Sequence, residues 1–177
     1  IEEIARSLVR PVRIMEVCGT HTMSIFRHGI RSLLPEGITL LSGPGCPVCV
    51  TPASHIDAFL AAADRPQVTI ATFGDLIRVP GAERSLAGAR AGGARVEIVY
   101  SPMDALTLAQ REPEQTVLFP AIGFETTAPT IAATILAAER LGIANFLIIA
   151  AGKTMPQALE ALMADPELQV DGLLCPG

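Results

Sequence analysis

Seven short apolar runs, at 14–17, 39–42, 68–73, 96–100, 116–121, 146–150 and 172–174, alternate along the chain with helical stretches near 22–34, 52–63, 83–91, 103–111, 128–141 and 156–164. Strand followed by helix followed by strand, without a run of hairpins, is the pattern of right-handed βαβ crossovers and a mostly parallel sheet. The composition agrees: half of the residues are hydrophobic and 18% are charged, against roughly 25% charged in an average domain. Strands of a parallel sheet are covered on both faces and need such apolar runs. Tryptophan is absent and aromatics are few, so the core falls to Ala, Leu, Ile and Val. The fold class expected is α/β, with parallel sheets and flanking helices in two small Rossmann-like units.

Local signals place several helix ends. Thr51 before Pro52, Ser101 before Pro102, and Thr154 read as helix entries, while Gly142 and Gly92-Gly93 read as stops. Because proline disfavours helix in the residue before it, Tyr100-Ser101-Pro102 marks a division. It gives a first domain, 1–100, with Cys18, Cys46 and Cys49, and a second, 101–177, with the loop at 123–127.

A net charge of −5 without a basic patch argues against nucleic acid as partner. No apolar run reaches the ~18 residues of a membrane helix; the longest candidate, 128–138, contains Pro129, Thr130 and Thr134. No signal-peptide pattern opens the chain, and a cytoplasmic location is the expectation. Four cysteines in a reducing compartment point to metal binding, catalysis or inert burial before disulfides. The start at Ile1 and the stop after Cys175-Pro176-Gly177 read as cuts in a longer polypeptide.

All four cysteines follow strands. Cys18 ends the first, in Glu16-Val17-Cys18-Gly19-Thr20-His21; Cys46 and Cys49 follow the second, in Gly43-Pro44-Gly45-Cys46-Pro47-Val48-Cys49; Cys175 follows the last. Ligands of open parallel sheets bind outside the carboxyl ends of the strands. The spacing of Cys46 and Cys49 lets two sulfurs face one metal or close a small disulfide ring, and a helix starting near Pro52 would favour their thiolates. Read blandly, the two are small hydrophobes in a turn. Cys18 with His21 forms a CxxH, in which a metal takes both side chains or His21 accepts the thiol proton; the plain alternative is a strand-end Cys and a turn-capping His. Three cysteines leave a tetrahedral site one donor short, which suits an open position or a ligand from a partner. His28 and His55 read as solvated helix residues.

The loop Gly123-Phe124-Glu125-Thr126-Thr127 either caps the next helix with its hydroxyls or uses Glu125, Thr126, Thr127 and its amides to line a ligand site. Ala151-Gly152-Lys153-Thr154 imitates the end of a phosphate-binding loop, but the motif needs glycine where Leu147 stands inside a strand. A nucleotide site is therefore not expected.

Taken in order, the segment from Glu16 to His21, Leu33-Leu34-Pro35, the run from Ser42 to Cys49, the segment from Gly123 to Thr127, and Leu174-Cys175-Pro176-Gly177 resemble the HypD family of nickel–iron hydrogenase maturation factors. The resemblance covers nearly the whole chain. It implies a scaffold on which iron acquires two cyanides and one carbon monoxide, with a small HypC-like partner and a HypE-like cyanide donor. By the same resemblance Cys18 would ligate iron, and Cys46 and Cys49 would be a redox pair near the metal. His21, Glu125, Thr126 and Thr127 would line the same cleft. The family continues for about as long again into a domain whose cysteines hold an iron–sulfur cluster, and this chain stops before it. Two other readings remain open from the residues: a stand-alone thiol–disulfide oxidoreductase using Cys46/Cys49, and a passive protein-binding domain.

Overall fold

The computed structural model describes residues 1–175; Pro176 and Gly177, which end the last family segment, lie outside the described residues. All seven expected strands form: β1 (Val12–Glu16), β2 (Ile38–Ser42), β3 (Val68–Thr72), β4 (Arg95–Ile98), β5 (Thr116–Ala121), β6 (Phe146–Ala150) and β7 (Gly172–Leu174). Every pairing between them is parallel, so the α/β class with parallel sheets is correct. The helices are α1 (Glu2–Arg6), α2 (Gly19–Arg27), α3 (Ala53–Ala63), α4 (Leu86–Ala91), α5 (Pro102–Arg111), α6 (Ala128–Leu141) and α7 (Met155–Met163). The short α1 buries no residue, which explains why no apolar periodicity betrayed it.

Two compact units result, but not by a cut near residue 100: one comprises 1–46 with 156–177, the other 47–155. The reason is strand pairing. β5, which follows the expected boundary, pairs with β3, which precedes it, in the sheet order β4-β3-β5-β6. β7 returns instead to β1, completing the order β2-β1-β7. Proline at Pro102 begins a helix and does not end a domain.

In the 47–155 unit, α3 places Ile56, Phe59, Leu60 and Ala63 on its buried face, at the helical spacing of three and four. These pack with Ile70, Leu86, Val96 and Leu118 in one core cluster. A second cluster gathers Ala105, Leu106 and Ala109 of α5 with Val117, Phe119 and Phe146. Phe73 meets Phe119 edge to face, with ring centroids 5.4 Å apart. Ser101 caps α5 by accepting from the Asp104 amide at 3.2 Å, with Pro102 in the first turn. Gly142 ends α6 in the left-handed conformation, φ 65°. Thr51 does not cap α3: Pro52 holds that position, and the Thr51 hydroxyl donates to the Pro47 carbonyl at 2.9 Å.

The 1–46/156–177 unit is the smaller. β1 carries Met15 and Glu16 into its interior, Val17 follows them there, and Ile25 is the buried residue of α2. Instead of one helix over 22–34, α2 stops at Arg27; Gly29 turns the chain with φ 61°, and a 3-10 turn follows at Ile30–Leu33. Asp171 ties β7 to the start of β1. It accepts from the Arg13 amide at 2.7 Å and pairs with Arg10 at 2.6 Å. None of the described helices is long and apolar enough to cross a membrane.

Candidate functional site

β2, β1 and β7 lie side by side and parallel, so the residues that follow them leave at one edge of one sheet. Cys18, Cys46 and Cys175 are those residues. The Val17 amide donates to the Leu174 carbonyl at 2.9 Å, which holds the starts of the Cys18 and Cys175 segments together.

The path from β2 to Cys46 is fixed by two glycines that have no room for a side chain. A Cβ at Gly43 would stand 2.5 Å from Cγ of Met15 and 2.7 Å from the Glu16 carbonyl oxygen. At Gly45 it would stand 2.6 Å from the Cys18 Cα and 2.5 Å from the Gly19 nitrogen. The Gly45 backbone therefore lies against the Cys18–Gly19 peptide. Since consecutive Cα atoms are about 3.8 Å apart, the Cα of Cys46 is within about 8 Å of that of Cys18. The two cysteines that the sequence places after separate strands are thus neighbours. Cys46 is exposed, and Cys18 is a half-buried free thiol.

Cys18 stands at the N-cap of α2. Burial pushes its thiol pKa up, but the backbone groups of His21 and Thr20, and then the Thr20 hydroxyl, outweigh that effect, so the pKa is lowered overall. The lowering comes from hydrogen bonding to the sulfur by the His21 and Thr20 backbone and by the Thr20 side chain, which favours the thiolate. The physical source is the set of unsatisfied amides at a helix start, which favours an anion. The sequence signal missed this: helical pattern suggested a start near residue 22, whereas the helix begins at Gly19 and puts its first turn directly on the thiol.

Sequence reading also missed the pair behind Cys18. Glu16, with no solvent exposure, ends β1, and Arg31 from the turn after α2 forms an ion pair with its Oε1. Arg31 also donates to Ser42 Oγ at 2.7 Å, so one guanidinium ties the ends of β1 and β2 to the turn after α2. The other carboxylate oxygen, Oε2, is buried without a partner, as is Nδ1 of His21. A carboxylate closing an apolar strand beside a cysteine was the available clue.

The remaining expected site residues fall in the 47–155 unit. Cys49 lies in the turn at 47–50 and is exposed. In the loop after β5, a Cβ at Gly123 would stand 1.9 Å from Thr127 Oγ1, so only glycine allows the loop to close. Thr127 Oγ1 donates to the Phe124 carbonyl at 2.8 Å and does not cap α6. Glu125 Oε1 accepts from the Met155 amide at 2.8 Å, leaving the carboxylate exposed but tethered. Thr126 is exposed. The Lys153 amide donates to the Gly123 carbonyl at 2.9 Å, and Leu147 sits inside β6. His28 is exposed, whereas His55 is half-buried with Nδ1 shielded and unpartnered, contrary to its reading as a solvated residue. Among the described residues no three or more His, Cys, Asp or Glu side chains are gathered to hold a metal ion.

The family described as "HypD: Hydrogenase formation hypA family" has a model that matches residues 1–177. The hydrogenase maturation factor HypD of Rhodobacter capsulatus is 47% identical over 176 residues, covering 99% of this chain and 47% of that protein. HypD of Escherichia coli (strain K12) is 49% identical over 168 residues, 95% of this chain and 45% of that one. HypD of Azotobacter vinelandii is 49% identical over 173 residues, 94% and 46% respectively. The chain spans slightly less than half the length of these curated relatives. With a full-length family match and this level of identity, the chain belongs to the HypD family.

Proposed function

We propose that this chain is the thiol-bearing part of a scaffold for nickel–iron hydrogenase maturation, on which the iron that receives two cyanides and one carbon monoxide is held. The observation that carries the reading is the lowered pKa of Cys18 at the start of α2, beside the glycine-tight approach of Cys46. A thiolate is a strong ligand for iron as substrate, and Cys18 supplies one at neutral pH more readily than an ordinary cysteine. Further donors come from outside this chain, from the cysteine of a HypC-like partner, or from Cys46 and Cys49.

Cys46 and Cys49 serve as a redox pair in this reading. Closing their disulfide forms one S–S bond and releases two electrons and two protons; the electrons break the bond joining the cyano group to its carrier on a HypE-like donor, giving cyanide for the iron and a reduced carrier, with the protons going to the carrier and to solvent. His21, three residues beyond Cys18, is the proton acceptor at the site. Glu125, Thr126 and Thr127, on the 47–155 unit, are ligand-binding residues in this reading.

The test is iron content and the cyanide and carbon monoxide infrared bands of complexes co-purified with a HypC-like partner. Cys18→Ala should lose the iron and the bands while circular dichroism stays unchanged, since removing a small strand-end thiol costs only about 1 kcal/mol. Undiminished iron in folded Cys18→Ala would refute the assignment. Reduction of a generic disulfide without iron or partner would instead favour an independent oxidoreductase.

A further inference from the structure

We propose that Cys18 and Cys175 are the two ends of a reversible disulfide, formed with a hydroperoxide as oxidant and opened by a dithiol, that fastens β1 to β7 and takes the Cys18 sulfur out of use. The bond is argued from the fold alone; its effect on iron rests on the scaffold reading.

Cys175 is the thiol that the scaffold reading leaves without a task. β7 is a three-residue strand at one edge of the sheet β2-β1-β7, paired with β1. The register sets Glu16 against Leu174, and the ladder runs one bond further, from the Val17 amide to the Leu174 carbonyl at 2.9 Å. In a parallel ladder such a bond puts Val17 opposite Cys175. Neighbouring strands lie about 4.8 Å apart and consecutive Cα atoms about 3.8 Å, so the Cα of Cys18 is within about 9 Å of that of Cys175. A disulfide takes Cα atoms about 4.4–6.8 Å apart, which falls inside that bound. β1 ends at Glu16 and β7 at Leu174. Both cysteines therefore lie past the pleat, whose alternation no longer assigns their side chains to a face.

Both sulfurs are reachable: Cys175 is exposed, Cys18 is half-buried, and both are reduced. Cys46 is also close to Cys18, but in the scaffold reading it pairs with Cys49, which leaves Cys18 and Cys175 to each other. The chemistry balances with one hydroperoxide. The Cys18 sulfur attacks the O–O bond, which breaks to give a sulfenic acid and, from hydrogen peroxide, one water. The Cys175 sulfur then attacks that sulfur; the S–S bond forms, the S–O bond breaks and a second water leaves. The two thiols have lost two electrons, and their protons have gone to oxygen. A dithiol returns both. The bond stops Cys18 short of sulfinic acid, which a dithiol does not reverse. It also joins the two stretches, 1–46 and 156–177, from which the smaller unit is assembled, and a cross-link between segments so distant in sequence restricts the unfolded chain.

Trypsin separates the thiols: Cys18 falls in the peptide 14–27, Cys46 and Cys49 in 32–78, and Cys175 in the peptide that begins at Thr154. The protein is treated with hydrogen peroxide at mildly alkaline pH, capped with iodoacetamide, digested and read by mass spectrometry without reduction. The expected result is peptide 14–27 joined to the Thr154 peptide, a product lost on adding dithiothreitol and absent from Cys175→Ser. Cross-linked wild type should melt at a higher temperature than reduced protein, a shift that Cys175→Ser does not show. In complexes with a HypC-like partner, peroxide before iron loading should cost the wild type its iron until dithiothreitol is added. It should cost Cys175→Ser its iron for good, as Cys18 goes on to sulfinic acid. Circular dichroism verifies that Cys175→Ser, a change at an exposed residue, folds. Four outcomes each overturn the bond and leave the scaffold reading standing: Cys18 and Cys175 both still capped, peptide 14–27 joined to 32–78, sulfinic acid at Cys18 of the wild type without a cross-link, or a link between two copies of the chain. Cross-linked protein that still takes up iron would instead overturn Cys18 as the ligand, and with it the effect on iron proposed here.

Discussion

The two units are built alike, as parallel strands with helices, and differ in how much apolar interior each owns. The 47–155 unit has two core clusters, which include Phe59, Ile70, Leu86, Leu106 and Phe119, all nearly or wholly excluded from solvent. In the other unit the buried hydrophobics among the described residues are Met15, Val17 and Ile25, and the most thoroughly buried polar group is the Glu16 carboxylate. Hydrophobic burial scales with the area removed from water, so the 47–155 unit holds itself together far more strongly. The edge with Cys18, Cys46 and Cys175 belongs to the weakly packed unit, which depends on specific devices: the Arg31 clamp on Glu16, the Asp171 ties and two glycines with no room for a Cβ. Segments that move are drawn from the low-stability end of a structure.

The largest effect that could break this contrast is on stability. Phe119→Ala removes a fully buried ring from the second cluster and should cost about 3–5 kcal/mol, the range for emptying an aromatic core site. Met15→Ala should cost about 2 kcal/mol, the low end for a buried side chain, because few other buried hydrophobic residues stand in its unit. Denaturant midpoints of the two variants decide the matter. Equal losses would mean that the small unit is packed as firmly as the large one.

A smaller effect sharpens the comparison within the thiol-bearing edge. Gly45→Ala sets a methyl against the backbone of Cys18 and Gly19, and backbone cannot move aside as a flexible side chain does. The expected cost is about 1–3 kcal/mol, as for overpacking, together with an altered alkylation rate of Cys18. Gly19→Ala is the internal control: a Cβ there meets nothing within 4 Å, and alanine in the first turn of a helix is favourable. It should leave stability level or slightly raised. Identical behaviour of the two variants in thermal melting would show that the close approach of Gly45 plays no part in fixing the site.

Most of the fold was legible in the sequence because parallel strands announce themselves as apolar runs; β5 and β6 match the expected 116–121 and 146–150 to the residue. The division into units was not legible, since nothing in the sequence near β5 says that it pairs back to β3 or that β7 pairs back to β1. At the site, the cysteines were visible from their spacing and their place after strands. The Glu16–Arg31–Ser42 clamp was not, because it joins residues 15 and 26 positions apart that only the sheet brings together. His55 was misjudged for a related reason: a polar residue on a helix reads as solvated until packing shields one ring nitrogen.

The smallest expected effect concerns the charge on Cys18. Its pKa is lowered in the folded chain: burial opposes the thiolate, and the groups of His21 and Thr20 at the start of α2 more than offset that opposition. The sign follows directly. In the unfolded chain the thiol titrates at its ordinary value, so the folded state holds fewer protons at pH values between the two pKa values. Stability from this group is therefore fully present above the unfolded pKa and is lost as pH falls through the folded one. Because the thiolate is the nucleophile, iodoacetamide should modify Cys18 with a pH midpoint below that of the same residue in denatured protein. Peptide mass spectrometry separates Cys18 from the other three thiols. Thr20→Val removes the hydroxyl, the last of the lowering influences, and keeps the two amides; the midpoint should rise only slightly. A folded midpoint at or above the denatured one would mean that burial wins at Cys18, and the thiol would then be a poorer iron ligand at neutral pH than an ordinary cysteine.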